Sequence, residues 1–252
     1  KSQSGSQCFV FIYKSFKKIM KLRRIFLYVF LSFSILYISV CTYMYIFQRN
    51  FLYHPYQNNH LRGEKLNPEV KEVFVQSTEG ITLKSWFYKN PKNTYTVLFF
   101  HGNAGELGNR IYKLNELKNL NLNYLIISWR GFSGNKGSPT EQGLYSDARS
   151  AIDWLEKNNI LKNKIILYGE SLGTGVAIEV AQNQKFAGII LESPYTSIVD
   201  VAKIYYPYLP VDFILKDKYL SLKKIKNITT PVLVMHGGAD RIIPIAMGKK
   251  LF

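Results

Sequence analysis

Gly169-Glu170-Ser171-Leu172-Gly173 is the stretch of this sequence whose residue types and spacing most directly suggest chemistry. A serine with glycine two residues to either side suits a sharp, strained turn from a strand into a helix, which exposes the hydroxyl. The following helix would then point its amino end at the serine oxygen, where negative charge develops during acyl transfer. Thr174, Gly175 and Ala177 keep the start of that helix slim. Ser171 is the candidate nucleophile, and an ordinary strand–helix turn is the plain alternative.

His101-Gly102-Asn103-Ala104-Gly105 closes an earlier apolar run. Acyl transfer needs a second backbone N–H aimed at the developing oxyanion, and small residues let the backbone come close. The N–H of Asn103, paired with that of Leu172, is the candidate oxyanion hole, against a mere Gly-rich turn. A phosphate-binding loop does not fit, because no Gly-Lys-Ser/Thr follows. His101 reads as a structural strand-end histidine rather than a base.

The elements that must position these residues alternate along the chain. Val70–Ser77 and Ile81–Tyr88 are β-rich runs around Glu79-Gly80, a hairpin signal. Thr96–His101, Tyr124–Ser128, Lys164–Tyr168, Gly188–Leu191 and Pro231–His236 read as strands, the first two as continuous apolar runs buried on both faces. Helices are expected at about 107–120, over Leu144–Asn158 and over Leu172–Gln182. This alternation predicts an α/β fold, a mostly parallel sheet with helices on both faces, and ligands at the carboxyl ends of its strands. Every motif quoted above falls at such an end. The aromatic, Pro-containing stretch 195–230 is expected to form a lid-like insertion.

Charge and hydropathy divide the chain. Residues 1–49 carry eight Lys or Arg and no acid, whereas residues 50–252 carry 25 basic and 17 acidic side chains. Half of the formal +16 therefore flanks one apolar run, which argues against a nucleic-acid binder. That run, Ile25 to Phe47, holds 23 residues without a charge, about 34 Å as a helix and enough to cross a bilayer. Lys21, Arg23 and Arg24 precede it, while Tyr43, Tyr45 and Phe51 cluster near its far end. Residues 1–24 are thus expected as a basic cytoplasmic segment, 25–47 as an uncleaved transmembrane signal anchor, 48–69 as a linker and 70–252 as the catalytic domain. A cleavable signal peptide would have a shorter apolar core and a small-residue cleavage site. Residue 1 is not Met and Met20 opens the basic flank directly, so either residues 1–19 are an upstream extension or the chain is a fragment. Two cysteines, Cys8 and Cys41, exclude a disulfide framework or a cysteine zinc site, and no metal or cofactor is expected.

Together with Trp129-Arg130-Gly131-Phe132-Ser133-Gly134, Leu191-Glu192-Ser193-Pro194-Tyr195 and His236-Gly237-Gly238-Ala239-Asp240, these motifs resemble the α/β-hydrolase family. The resemblance runs from about Tyr53 to the last residue. It points to the small-lid branch of membrane-anchored serine hydrolases, acyl-protein thioesterases and monoacylglycerol-lipase-like enzymes, with serine aminopeptidase-like domains nearby. It implies an order of Ser, Asp, His, with Asp240 as the acid that orients the histidine. It also implies a small acyl ester or thioester substrate, a lipid or an acylated protein among the choices. Arg130 and Glu170 read as structural or pocket-rim charges. The family's histidine follows one more strand, and no histidine lies beyond Asp240, so the last strand and the catalytic-histidine loop are expected to be missing. The expectation is a hydrolase that is weak or inactive as it stands, or else a catalytically dead, membrane-tethered binding protein. The composition, rich in Lys, Asn, Ile and Tyr, suggests an AT-rich bacterial genome, and the positive-inside rule then puts the domain of an inner-membrane protein on the periplasmic side.

Overall fold

The computed structural model of the chain describes residues 3–55 and 68–252. Lys1, His60 and most of the expected linker lie outside these residues, as do the side chains of Cys8 and Lys14. The chain forms two compact units, residues 1–47 and residues 48–252.

A long run of apolar residues that carries no partner strand satisfies its backbone internally, as a helix. The first element, α1 (Gln3–Leu52), is one such helix. Its part from Phe16 to Leu52 is long and apolar enough to cross a membrane, with a mean hydropathy of 2.1 in its most apolar window. Ser32, Ser34, Ser39 and Thr42 turn their hydroxyls back onto carbonyls four residues earlier, so these four hydroxyls need no outside partner. Phe26, Phe30 and Phe33 stand exposed on it.

The second unit is built on a sheet. In chain order it contains β1 (His54–Pro55), β2 (Lys71–Gln76), β3 (Thr82–Tyr88), β4 (Thr96–Phe100), β5 (Ala104–Gly105), α2 (Ile111–Asn119), β6 (Asn123–Ile127), α3 (Glu141–Lys157) and β7 (Ile165–Glu170). Then follow α4 (Leu172–Ala181), β8 (Gly188–Glu192), α5 (Ile198–Tyr205), α6 (Val211–Ile214), α7 (Ser221–Lys224), β9 (Val232–Met235) and α8 (Ile245–Leu251). Seven strands pair in the order β2-β3-β6-β4-β7-β8-β9, antiparallel at β2–β3 and β3–β6 and parallel elsewhere. Glu79 (φ 62°) and Gly80 (φ 68°) form the tight turn between β2 and β3. Both have positive φ, as a hairpin turn that follows the strand twist requires.

The continuous apolar runs have their expected cause. Leu98 and Phe100 of β4 join Leu125 and Ile127 of β6 in a core beneath α3 and α4. Val97 and Phe99 join Tyr124 and Ile126 in a second core beneath Leu114 and Leu117 of α2. With side chains alternating between two covered faces, no position in these strands meets water.

Two helices start elsewhere than their apolar spacing suggests. A 3-10 turn (Leu107–Arg110) replaces the first part of the expected 107–120 helix, because Glu106 and Asn109 cap each other's backbone there. α3 begins three residues before Leu144, where the Thr140 hydroxyl accepts the Gly143 N–H. In the loop after β6, Arg130 is buried against Asp147 of α3 at 2.8 Å. That is a structural role for the first of the two charges singled out in the sequence.

The chain from Gln48 to Pro55 is packed rather than extended as a linker. Arg49 pairs with Asp217 at 2.8 Å, and the Tyr53 and Tyr219 hydroxyls meet at 2.9 Å. β1 pairs with β5 just beyond the end of β4. Hydrogen bonds from side chains more than 160 residues away in sequence thus draw this segment onto the insertion between β8 and β9, which carries α5, α6 and α7.

Candidate active site

Ser171 sits between β7 and α4 with φ 50° and ψ −115°, a conformation that side-chain-bearing residues rarely adopt. The neighbouring glycines show why the turn can close. A Cβ on Gly169 would lie 2.6 Å from the Gly173 carbonyl oxygen, and one on Gly173 would lie 2.0 Å from that of Phe100. The helix therefore presses directly on the ends of β7 and β4. The Ser171 N–H donates to the Glu192 carbonyl at 2.8 Å, its carbonyl accepts from the Thr174 hydroxyl at 2.6 Å, and the residue is half-buried.

Leu172 opens α4, and the Tyr195 hydroxyl donates to its carbonyl at 3.1 Å. Asn103 follows β4, the strand beside β7. A Cβ on the adjacent Gly102 would sit 3.6 Å from the Glu170 carbonyl oxygen, so this loop runs against the residue before the serine. The Asn103 side chain donates to the Leu52 carbonyl at 2.7 Å and its own carbonyl accepts the His54 N–H at 2.8 Å. Among the described residues no carbonyl accepts from the N–H of Asn103 or of Leu172. Asn103 and Leu172 thus lie at the ends of the paired strands β4 and β7.

Asp240 follows β9, two strands from β7. Its Oδ1 accepts the N–H groups of Ile242 and Ile243, each at 2.9 Å. Burial pushes its carboxyl up, but those two N–H groups, the Ser193 hydroxyl and nearby His236 together hold it below the usual carboxylate range. Ser193, one strand over, shares the positive φ of Ser171 at 50°, and its N–H donates to the Met235 carbonyl at 2.8 Å. Two hydrogen bonds thus step across the carboxyl edge from serine to acid, Ser171 to Glu192 and Ser193 to Met235.

The described histidines, His54, His101 and His236, are committed elsewhere. His101 is fully buried, with Nδ1 2.8 Å from the Gly102 carbonyl and Nε2 facing the Trp129 N–H at 3.4 Å. That network assigns the proton to Nδ1 and leaves Nε2 as acceptor. His236 places Nε2 2.8 Å from the Ile243 carbonyl and 3.6 Å from Asp240 Oδ2, while its buried Nδ1 has no partner among the described residues. His54 Nε2 lies 3.1 Å from the Phe51 carbonyl. Among the described residues no histidine hydrogen-bonds to Ser171.

Burial, followed by the positive charge of Arg110, drives the His101 pKa down to about 3. In the unfolded chain the imidazole titrates near its ordinary 6.5. Below that value the unfolded state binds a proton that the folded state refuses, so the contribution of His101 is complete above it and shrinks toward about 3. Moving from neutral pH to one unit below the ordinary value should cost about 1.4 kcal/mol, or some 3–5 °C in melting temperature. Melting in detergent at pH 7.5 and 5.5 tests this. The natural chain should lose stability at the lower pH, and His101→Gln, though less stable throughout, should lose the part due to this group. An equal loss in both would remove His101 as the cause.

Sequence reasoning read Glu170 as a structural or pocket-rim charge but missed the cations behind the turn that hold it. Glu170 bonds Arg110 and Lys113, each at 2.8 Å. Burial opposes its charge, but the two cations outweigh it and keep the carboxyl below the usual range. Lys113 also reaches the Glu192 carboxylate, which takes the Tyr168 hydroxyl at 2.6 Å. Nothing in local spacing announces Lys113, which lies 57 residues before Glu170. Ser193 stood inside a noted motif, but its bond to Asp240 appears only in three dimensions.

The profile of the "alpha/beta hydrolase fold" family matches residues 95–217. The Arabidopsis thaliana alpha/beta hydrolase domain-containing protein WAV2 is 30% identical over 207 residues, spanning 75% of this chain and 67% of that protein. The Danio rerio lysophosphatidylserine lipase ABHD12 is 33% identical over 188 residues, spanning 66% of this chain and 49% of that one. Among solved structures, the Pyrococcus furiosus esterase Pf2001 superposes with a TM-score of 0.64 at 18% identity, over 79% of this chain and 82% of the other.

Proposed function

The chain belongs to the α/β-hydrolase fold family, and from that premise we propose that it is a membrane-anchored serine hydrolase of esters or thioesters. The observation that carries the reading is the strained Ser171, held at the end of β7 by glycines with no room for a side chain. In this reading the Ser171 oxygen attacks the acyl carbon and gives its proton to a base. The Asn103 and Leu172 N–H groups receive the oxyanion, and the leaving alcohol or thiol takes the proton as the tetrahedral intermediate collapses. Water then releases the acyl group from the serine. Asp240 is the acid, pre-set as a carboxylate by the N–H groups of Ile242 and Ile243.

With no histidine bonded to Ser171 among the described residues, we expect this chain to be a slow enzyme. Loss of one triad member lowers turnover by about 10⁴–10⁶-fold. Residues 25–47 serve as the anchor, the basic flank stays cytoplasmic, and the hydrolase unit lies across the membrane, in the periplasm of a bacterial host. The likeness to a lysophosphatidylserine lipase supports an acyl lipid as substrate.

The test uses the full chain in detergent, a fluorophosphonate probe, and short-chain ester and thioester assays. Labelling should be slow, abolished in Ser171→Ala, and raised by imidazole in solution, which can accept the serine proton. Labelling that survives Ser171→Ala would overturn the nucleophile assignment. The engagement of His101 and His236 by the backbone favours a second reading, a binding protein that keeps the fold. No turnover with or without imidazole, together with retained binding of a lipid ester, would select it.

A further inference from the structure

The carbonyls of Gly102, Asn103 and Ala104 accept hydrogen bonds from three different parts of the chain. They face His101 Nδ1, the His54 N–H and Arg110 Nη1 in turn, each at 2.8 Å. The first bond sets a direction. In a planar trans peptide the N–H points away from the carbonyl it is joined to, so the Asn103 N–H is turned away from His101 Nδ1. The second bond ties the loop to β1. The third reaches further, because the same guanidinium also holds the serine turn.

Arg110 closes the 3-10 turn before α2, and its other terminal nitrogen, Nη2, donates to Glu170 Oε1 at 2.8 Å. Ala104 follows Asn103 in sequence, and Glu170 precedes Ser171. One rigid, planar fork therefore reaches from the residue after an oxyanion donor to the residue before the nucleophile. The backbone is shaped for it. Gly105 has φ 86°, and a Cβ there would lie 2.9 Å from Arg110 Nη1. One on Gly102 would lie 3.2 Å from Glu170 Oε1 and 3.5 Å from Arg110 Nη2, so the loop wraps the ion pair closely. Lys113, three residues on, takes the second Glu170 oxygen at 2.8 Å and reaches Glu192, whose carbonyl accepts the Ser171 N–H. Arg110 is only 8% exposed and both ends of its fork are engaged, which leaves it no donor to grip a substrate.

We propose that Arg110 is a positioning residue for acyl transfer. It fixes the loop that bears the Asn103 N–H against the turn that bears Ser171, and so sets the span of the oxyanion hole. The proposal rests on the reading of Ser171 as nucleophile and of the Asn103 and Leu172 N–H groups as oxyanion donors. A misplacement of about 1 Å in such a group costs about 10²-fold in rate. Lysine at position 110 would keep a positive charge beside Glu170. Its ammonium is a single point where the guanidinium is a fork, so it releases the Ala104 carbonyl.

The experiment follows fluorophosphonate labelling of the full chain in detergent with imidazole, over a range of probe concentrations that separates the maximal rate from the half-saturating concentration. The phosphonyl oxygen stands where the oxyanion forms, so the maximal rate reports on the hole. In Arg110→Lys that rate should fall about 10²-fold, with the half-saturating concentration unchanged and melting within a few degrees of the natural chain. Deuterium exchange of the peptide spanning 102–106 should quicken, while that of β7 stays slow. Arg149→Lys, at a surface pair between α3 and α4, is the control and should change none of these. A second variant, Arg110→Gln with Glu170→Gln, removes both charges of the pair and leaves Lys113 its Glu192 partner. It should lose the same rate even if Arg110→Lys folds poorly. An unchanged maximal rate in a variant that melts like the natural chain would overturn the positioning role and leave the nucleophile standing. Rate, half-saturation and melting temperature worsening together in both variants would reduce Arg110 to a structural ion pair, which also overturns it. If Ser171 of the natural chain takes no label even with imidazole, the hydrolase reading fails and this proposal falls with it.

Discussion

Gly173→Ala is expected to cost about 3 kcal/mol or more and to leave little folded protein, because total stabilities are only about 5–15 kcal/mol. The added Cβ would lie 2.0 Å from the Phe100 carbonyl oxygen, 2.7 Å from its carbon and 3.0 Å from the His101 oxygen. All three are backbone atoms at the end of β4, a strand buried on both faces and paired on both edges. They cannot swing aside as a flexible side chain would. Gly238→Ala is the matched control, since nothing lies within 4 Å of a Cβ there, and it should stay within about 0.5 kcal/mol of the natural chain. Yield and melting temperature in detergent decide the matter. A Gly173→Ala protein that melts like the control would mean that α4 does not press on β4, and that the Leu172 N–H is not held where the oxyanion reading needs it.

Ser171→Gly should do two things at once, abolish fluorophosphonate labelling and raise stability. A non-glycine residue in a sparsely populated backbone region costs about 1–3 kcal/mol, and glycine removes that cost while losing about 0.5–1 kcal/mol in chain entropy. The net expectation is a gain of about 1 kcal/mol, some 2–4 °C in melting temperature. Ser171→Ala separates the two effects. It deletes the hydroxyl but keeps the Cβ, so labelling should vanish with no rise in melting temperature. If the glycine variant melts no higher than the alanine variant, the φ of 50° at Ser171 is not a source of strain. A glycine variant that melts higher would mark a residue kept for chemistry at the expense of stability, the trade expected where a serine must project from a turn.

What could be read from the sequence was local. The hairpin at Glu79-Gly80, the doubly buried runs of β4 and β6, and the strand–turn–helix around Ser171 each depend on residues close in sequence. Helix starts were harder, because a cap outweighs apolar spacing. Thr140 draws α3 back to Glu141, and the Glu106–Asn109 pair winds the residues before α2 into a tighter turn.

The amino-acid sequence by itself determined the alternation of elements, and with it the parallel sheet, the apolar helix of the first unit, and the serine turn. These follow from periodicity, from the absence of charge, and from glycine's lack of a Cβ, all of which act within a few residues. Only the tertiary structure decided which groups meet across long separations. It ties Gln48 and Arg49 to 214–217, sets Lys113 between Glu170 and Glu192, and gives both ring nitrogens of His101 backbone partners. The physical reason is the same in each case. A buried polar group must find a partner, and the partner it finds is whichever group the packed layers bring within about 3 Å, a distance that no local pattern encodes.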